Sequence, residues 1–124
     1  MVAVESVVPT FFVASLDRSV DWYERVLGFT RLFLFDDYAG VALGPARIHL
    51  AQREPPIKGA CYLRLRSGID EYVAGIEAGG QKLTARLKDH PYGMREATVR
   101  DPDGNDIYVG QPLTDASPPG TRPS

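Results

Sequence analysis

The sequence predicts an α+β fold made of two copies of a βαβββ module, and three observations carry the prediction. Each half reads as a strand, a helix and three short strands. The helix starts at Ser15 and Ser67, and the helix ends at Leu27-Gly28 and Ala78-Gly79, recur at a spacing of roughly fifty residues. The last strands also match, because Ile48-His49-Leu50-Ala51-Gln52 has the pattern of Ile107-Tyr108-Val109-Gly110-Gln111, with Gln closing both. A pair of units this long fits a duplicated module better than a solenoid, which needs at least three stacked repeats.

Each element follows from local chemistry. Residues 7–13 are apolar and β-rich, with Pro9 favouring an edge strand because it has no amide proton for a ladder. Ser15 can cap the first helix and Asp17 complements its positive end, while Leu16, Val20, Tyr23 and Leu27 form one apolar stripe before Gly28 ends it. Strands at 30–35, 38–43 and 47–52 follow, separated by Asp36-Asp37 and by a Gly44-Pro45 turn. A linker over 53–59 holds Pro55 and Pro56. The second half begins with an alternating strand at 60–66 and a helix capped at Ser67, with Ile69, Tyr72, Val73 and Ile76 as its stripe and Gly79-Gly80 as its end. Strands around 83–88, 96–100 and 106–110 complete it, with Asp101-Pro102-Asp103-Gly104-Asn105 as a tight turn between the last two. These bounds give one domain over 1–113, with modules at 5–53 and 59–112. The tail at 114–124, with Pro118, Pro119, Gly120 and Pro123 and no apolar anchor, is expected to be flexible.

Composition narrows the function classes. At 124 residues, 44% hydrophobic and 24% charged, the chain has the make-up of one globular domain. A net charge of −2 without a basic stripe argues against nucleic-acid binding. The opening residues lack a basic n-region and apolar run, no stretch reaches membrane-spanning length, and the single Cys61 fits a reducing compartment, so a cytoplasmic protein is expected. Cys61 itself reads as a small buried hydrophobe. Ser15 and Ser67 read as caps rather than nucleophiles, with no His–acid pair beside either, and no glycine pattern would cradle a phosphate.

Ser19-Val20-Asp21-Trp22-Tyr23, Leu27-Gly28-Phe29 and Arg100-Asp101-Pro102-Asp103-Gly104-Asn105 together resemble the vicinal oxygen chelate (glyoxalase/bleomycin resistance/dioxygenase) superfamily over about 7–111. The resemblance implies two βαβββ modules whose mixed sheets curl, partly open, around a cleft. Val8-Pro9, the stretch from Asp36-Asp37-Tyr38 through Val41, and Pro91-Tyr92-Gly93 before Arg95-Glu96 look most like the bleomycin-resistance proteins. Those are dimers that sequester an antibiotic without enzymatic activity, and in the superfamily the dimer is often completed by exchanged strands or modules. The implied function is therefore antibiotic-resistance-like sequestration of an aromatic or cationic ligand by a homodimer, with no cofactor, catalytic residue, nucleic acid or membrane involved. The alternative is a metal-dependent glyoxalase-like lyase or isomerase, or a dioxygenase.

The resemblance also frames the metal question. Metal-using members of the superfamily take ligands from four strand positions, the last usually a Glu four residues after the turn glycine. Here Tyr108 stands at that position, and the other three fall near Val8, His49 and Ala60, give or take one residue of register. His49 is the one good divalent-metal donor in that set, whereas catalytic sites use at least three protein donors and an open position. No metal site is expected, and His49 reads as a cleft residue, with metal ligation as its alternative. Tyr108 as a phenolate ligand, or Cys61 brought in by a register slip, would be needed to build one. Strand alternation lets Phe33, Phe35, Tyr38, His49, Tyr62 and Tyr108 face one concave surface, and these six are the candidate ligand-binding residues. Trp22 and Tyr23, on a helix, read as core, and Asp36 and Asp37 as a solvated turn with an acidic rim as the alternative.

Overall fold

The computed structural model describes residues 3–114, so the expected flexible tail, apart from Thr114, lies outside the described residues. The chain divides between Gly59 and Ala60 into two compact units.

The first unit runs β1 (Thr10–Val13), α1 (Leu16–Arg25), β2 (Thr30–Leu34), β3 (Tyr38–Leu43) and β4 (Ala46–Gln52). Its sheet has the order β1-β4-β3-β2, with β1 parallel to β4 and the other pairs antiparallel. Alternation along the strands sends Phe11, Val13, Ala39, Val41, Ile48 and Leu50 into the core, where α1 contributes Leu16, Val20 and Tyr23. Phe29 meets the Tyr23 ring edge-on at 5.7 Å, and Trp22 meets it at 5.0 Å, so the helix aromatics are core, as expected. Residues one step out of phase, among them Thr10, Tyr38, Gly40 and His49, line the opposite face, here called the open face.

The second unit repeats the plan with β5 (Ala60–Arg64), α2 (Ile69–Ala78), β6 (Ala85–Asp89), β7 (Met94–Arg100) and β8 (Asp106–Pro112). Its order is β5-β8-β7-β6, with β5 parallel to β8. Leu63, Ala97, Val99, Ile107 and Val109 are buried on the helix side with Ile69, Val73 and Ile76 of α2. Both units are therefore βαβββ in strand order and pairing, and the α+β fold expected from the repeat is the fold observed.

Several details differ from the sequence reading. The first strand starts at Thr10 rather than at residue 7: Pro9 has no N–H to donate, although its carbonyl accepts from the His49 amide at 2.9 Å, and Val7 is 88% exposed. β6 begins two residues late, while β7 reaches back to Met94 and β8 extends to Pro112. Ser67 is not the cap of α2. Gly68 occupies that position at φ 88°, a conformation that suits glycine, and supplies no side-chain cap. The repeated glutamines explain how the helix starts are satisfied. Gln52 Oε1 accepts the Leu16 amide at 3.1 Å and Gln111 Oε1 accepts the Ile69 amide at 2.9 Å, so the last strand of each unit caps its own helix. Ser15 adds a second cap to α1, accepting the Arg18 amide at 3.3 Å.

The late turn is held from within. One Asp101 carboxylate oxygen accepts the amides of Asp103 and Asn105, the other accepts the Asn105 side-chain amide, all at 2.9 Å, and Gly104 turns the chain at φ 92°. Asp101 and Asn105 are both buried, which accounts for this residue pattern structurally. Among the described residues no helix is long and apolar enough to cross a membrane.

Candidate functional site

The open face of the first unit gathers four of the six candidate residues. A bulge between Arg31 and Phe33 shifts the register of β2 against β3. Arg31 thereby pairs with Val41, on the helix side, and reaches Glu24 of α1 at 3.4 Å, while Phe33 pairs with Gly40 on the open face. The Phe33 ring lies directly over Gly40, where a Cβ would fall 2.3 Å from it. Around Phe33 stand Phe35 at 5.5 Å, Tyr38 at 5.6 Å and the His49 ring, edge-on, at 5.4 Å between centroids. Tyr38 and His49 are joined by a 2.5 Å hydrogen bond between the hydroxyl and Nδ1. That bond engages Nδ1 and leaves Nε2 at the free edge of the ring.

Tyr62 and Tyr108 share the open face of the second unit. They are cross-strand partners on β5 and β8, each about two-fifths exposed. Tyr62 leans across Gly110, where an added Cβ would collide with its hydroxyl, and donates to Glu96 Oε2 on β7 at 2.5 Å. Glu96 Oε1 accepts a second phenol, that of Tyr92, also at 2.5 Å, and lies 3.7 Å from His90 Nε2. His90 stacks on Tyr92 at 5.0 Å and 15°. Burial first, then the bond to Glu96, pushes the Tyr62 phenol up, and Tyr92's own bond to Glu96 raises Tyr92, so both remain donors at neutral pH.

Of this carboxylate hub, Tyr62 was among the six candidates, while Glu96, Tyr92 and His90 were not. Pro91-Tyr92-Gly93 and Arg95-Glu96 stood out in the sequence as part of the family likeness, yet Tyr92 and His90 lie in a turn, where alternation assigns no face. A cavity of about 380 Å³ opens beside the hub, lined by His90 and by residues of β6, β7 and β8 that include Glu96, Thr98 and Tyr108.

The donors at the superfamily's metal positions do not fit a catalytic divalent metal. Thr10 is the β1 partner of His49, with Val8 outside the strand, and Tyr62 is the β5 partner of Tyr108, while Ala60 pairs with Asp106. The first unit thus offers one imidazole and a hydroxyl, and the second two phenols, against the three strong donors a catalytic site requires. Among the described residues no three His, Cys, Asp or Glu side chains converge to hold a metal ion. Cys61 is half-buried, and burial, reinforced by Asp101, pushes its thiol up to about 11, away from the thiolate that metal binding needs.

Comparison with known proteins agrees with this architecture. The family model of the Glyoxalase/Bleomycin resistance protein/Dioxygenase superfamily matches residues 5–109. No curated protein matches. Among solved structures, TioX from Micromonospora sp. ML1 is 24% identical, with a TM-score of 0.79 over 88% of this chain and 99% of that one. The bleomycin resistance determinant encoded on the transposon Tn5 is 20% identical, with a TM-score of 0.79 over 90% of this chain and 100% of its own. A bleomycin-binding protein complexed with bleomycin is 19% identical, with a TM-score of 0.74 over 87% and 98% of the two chains. At these identities the likeness is one of fold.

Proposed function

The chain belongs to the Glyoxalase/Bleomycin resistance protein/Dioxygenase superfamily, and on that footing we propose that it is a metal-free, homodimeric binding protein of the cytoplasm that sequesters an aromatic or cationic antibiotic-like ligand. The observation that carries this reading is the aromatic cluster of Phe33, Phe35, Tyr38 and His49 on an open sheet face. Ring faces there suit stacking and attract cations alike. Tyr62 and Tyr108 extend the same chemistry in the second unit. The bleomycin-resistant and bleomycin-binding proteins of the same fold lend the ligand class. The position of β1 at the edge of its sheet, headed by Pro9 and the exposed Val4 and Val7, supports a second copy as partner.

Calorimetric titration with bleomycin tests the ligand. Saturable heat and a rise in melting temperature are expected for the intact protein, and both should weaken in Phe33→Ala. Absence of both at high ligand concentration removes bleomycin. Reconstitution with Mn, Fe, Ni or Zn followed by dialysis tests the metal-free reading, which one tightly held equivalent of any of them would overturn.

A further inference from the structure

The cavity beside Glu96 carries a preference that the aromatic cluster does not. It belongs wholly to the second unit, and its volume, about 380 Å³, lies within the range of small-molecule sites. Three features mark it as built for a ligand group of particular chemistry. First, Thr98 on the central strand β7 is 9% exposed, lines the cavity, and its hydroxyl has no hydrogen-bond partner among the described residues. A hydroxyl that lines a cavity with no protein partner is placed to donate to an incoming acceptor. Second, Arg86 and Lys88 line the same cavity and have no carboxylate partner among the described residues, whereas Arg25, Arg31, Arg95 and Arg100 each hold one. The bulge between Ala85 and Lys88 places Lys88: Ala85 and Lys88, an odd number of residues apart, both pair with open-face residues of β7, namely Thr98 and Glu96. Third, the one carboxylate in the lining, Glu96, has its two oxygens engaged by the hydroxyls of Tyr62 and Tyr92 and is outnumbered there by the two cations. The ring of Tyr108, opposite Thr98 in register, supplies an aromatic wall.

We propose that this cavity binds the anionic, hydrogen-bond-accepting end of an aromatic ligand, with Arg86 and Lys88 supplying charge, Thr98 a donor and Tyr108 a stacking face. The proposal rests on the ligand-binding reading and specifies which group the second unit recognises. Fluorescence titration with two dyes separates them: 8-anilinonaphthalene-1-sulfonate carries a sulfonate, and N-phenyl-1-naphthylamine is its uncharged counterpart. The intact protein is expected to bind the sulfonate dye about tenfold more tightly. That preference should shrink with added salt, disappear in Arg86→Ala/Lys88→Ala, and fall in Thr98→Val while surviving in Thr98→Ser. Arg86 and Lys88 are exposed, so an unchanged melting temperature in the double variant guards against a folding artefact. Equal affinity for the two dyes, or a preference that survives the double substitution, overturns the anionic assignment and leaves ligand binding standing. Failure to bind either dye overturns both.

Discussion

Ile69, the first residue of α2, has its amide held by Gln111, and Gly68 before it brings no side chain to help. Gln52 does the same for Leu16, but Ser15 also holds an amide of that turn. Gln111→Ala should therefore cost about 1 kcal/mol, several degrees in a thermal melt followed by circular dichroism, and Gln52→Ala measurably less. Equal losses would mean that Ser15 adds nothing. The two glutamines were visible in the sequence as a repeat, but their role was not, since a cap supplied by a strand some forty residues away exists only once the fold has brought the two together. Cys61 gives a second expectation at this scale. Its folded thiol is raised to about 11 from 9.0, chiefly by burial, so it holds its proton more tightly than the unfolded chain does. The stability it contributes is complete below pH 9 and is lost as pH climbs toward 11, where the unfolded thiol is already ionised. The difference in denaturation free energy between the parent and Cys61→Ser should shrink across that window, and thiolate absorbance should rise with a midpoint near 11. A midpoint at the ordinary value would show the thiol to be solvated.

Helices, turns and most strands were legible because they depend on local period and on residues such as Ser15, Gly28 and the Asp101–Asn105 turn. The two bulges were not, because a register shift is defined by the neighbouring strand. Their effect is large: each changes which side chains of β2 or β6 reach the open face, so Phe33 and Lys88 owe their positions to them. Alternation alone was enough to bring Tyr38 and His49 together, yet it missed His90, Tyr92 and Glu96, whose meeting depends on a turn. Glycines test this level directly. In Gly40→Ala the new methyl would stand 2.3 Å from the half-buried Phe33 ring, so the ring must move, at a cost of about 1–3 kcal/mol in urea denaturation. Gly75, in the middle of α2, has nothing within 4 Å of an added Cβ, and Gly75→Ala should stabilise the helix by about 0.5–1 kcal/mol. Opposite signs are the expected result, and a stabilised Gly40→Ala would show that the ring moves freely.

For the molecule as a whole, the proposed homodimer predicts a sedimenting mass twice the 13.6 kDa of one chain, and a single-chain mass at micromolar concentration would remove it. The duplicated plan was the most legible feature of the sequence, since strand, helix and turn signals recur in the same order, whereas the ligand was the least, because an open sheet face is assembled from residues of several strands. Strand order has a further consequence for synthesis. In each unit the first strand pairs with the last, β1 with β4 and β5 with β8, and the last strand also carries the glutamine that closes the helix start. A chain leaving the ribosome therefore holds its earliest strand unpaired until residue 52 has cleared the exit tunnel, and waits again until residue 111 for the second unit. Translation would deliver this fold in two instalments, each completed by its final strand.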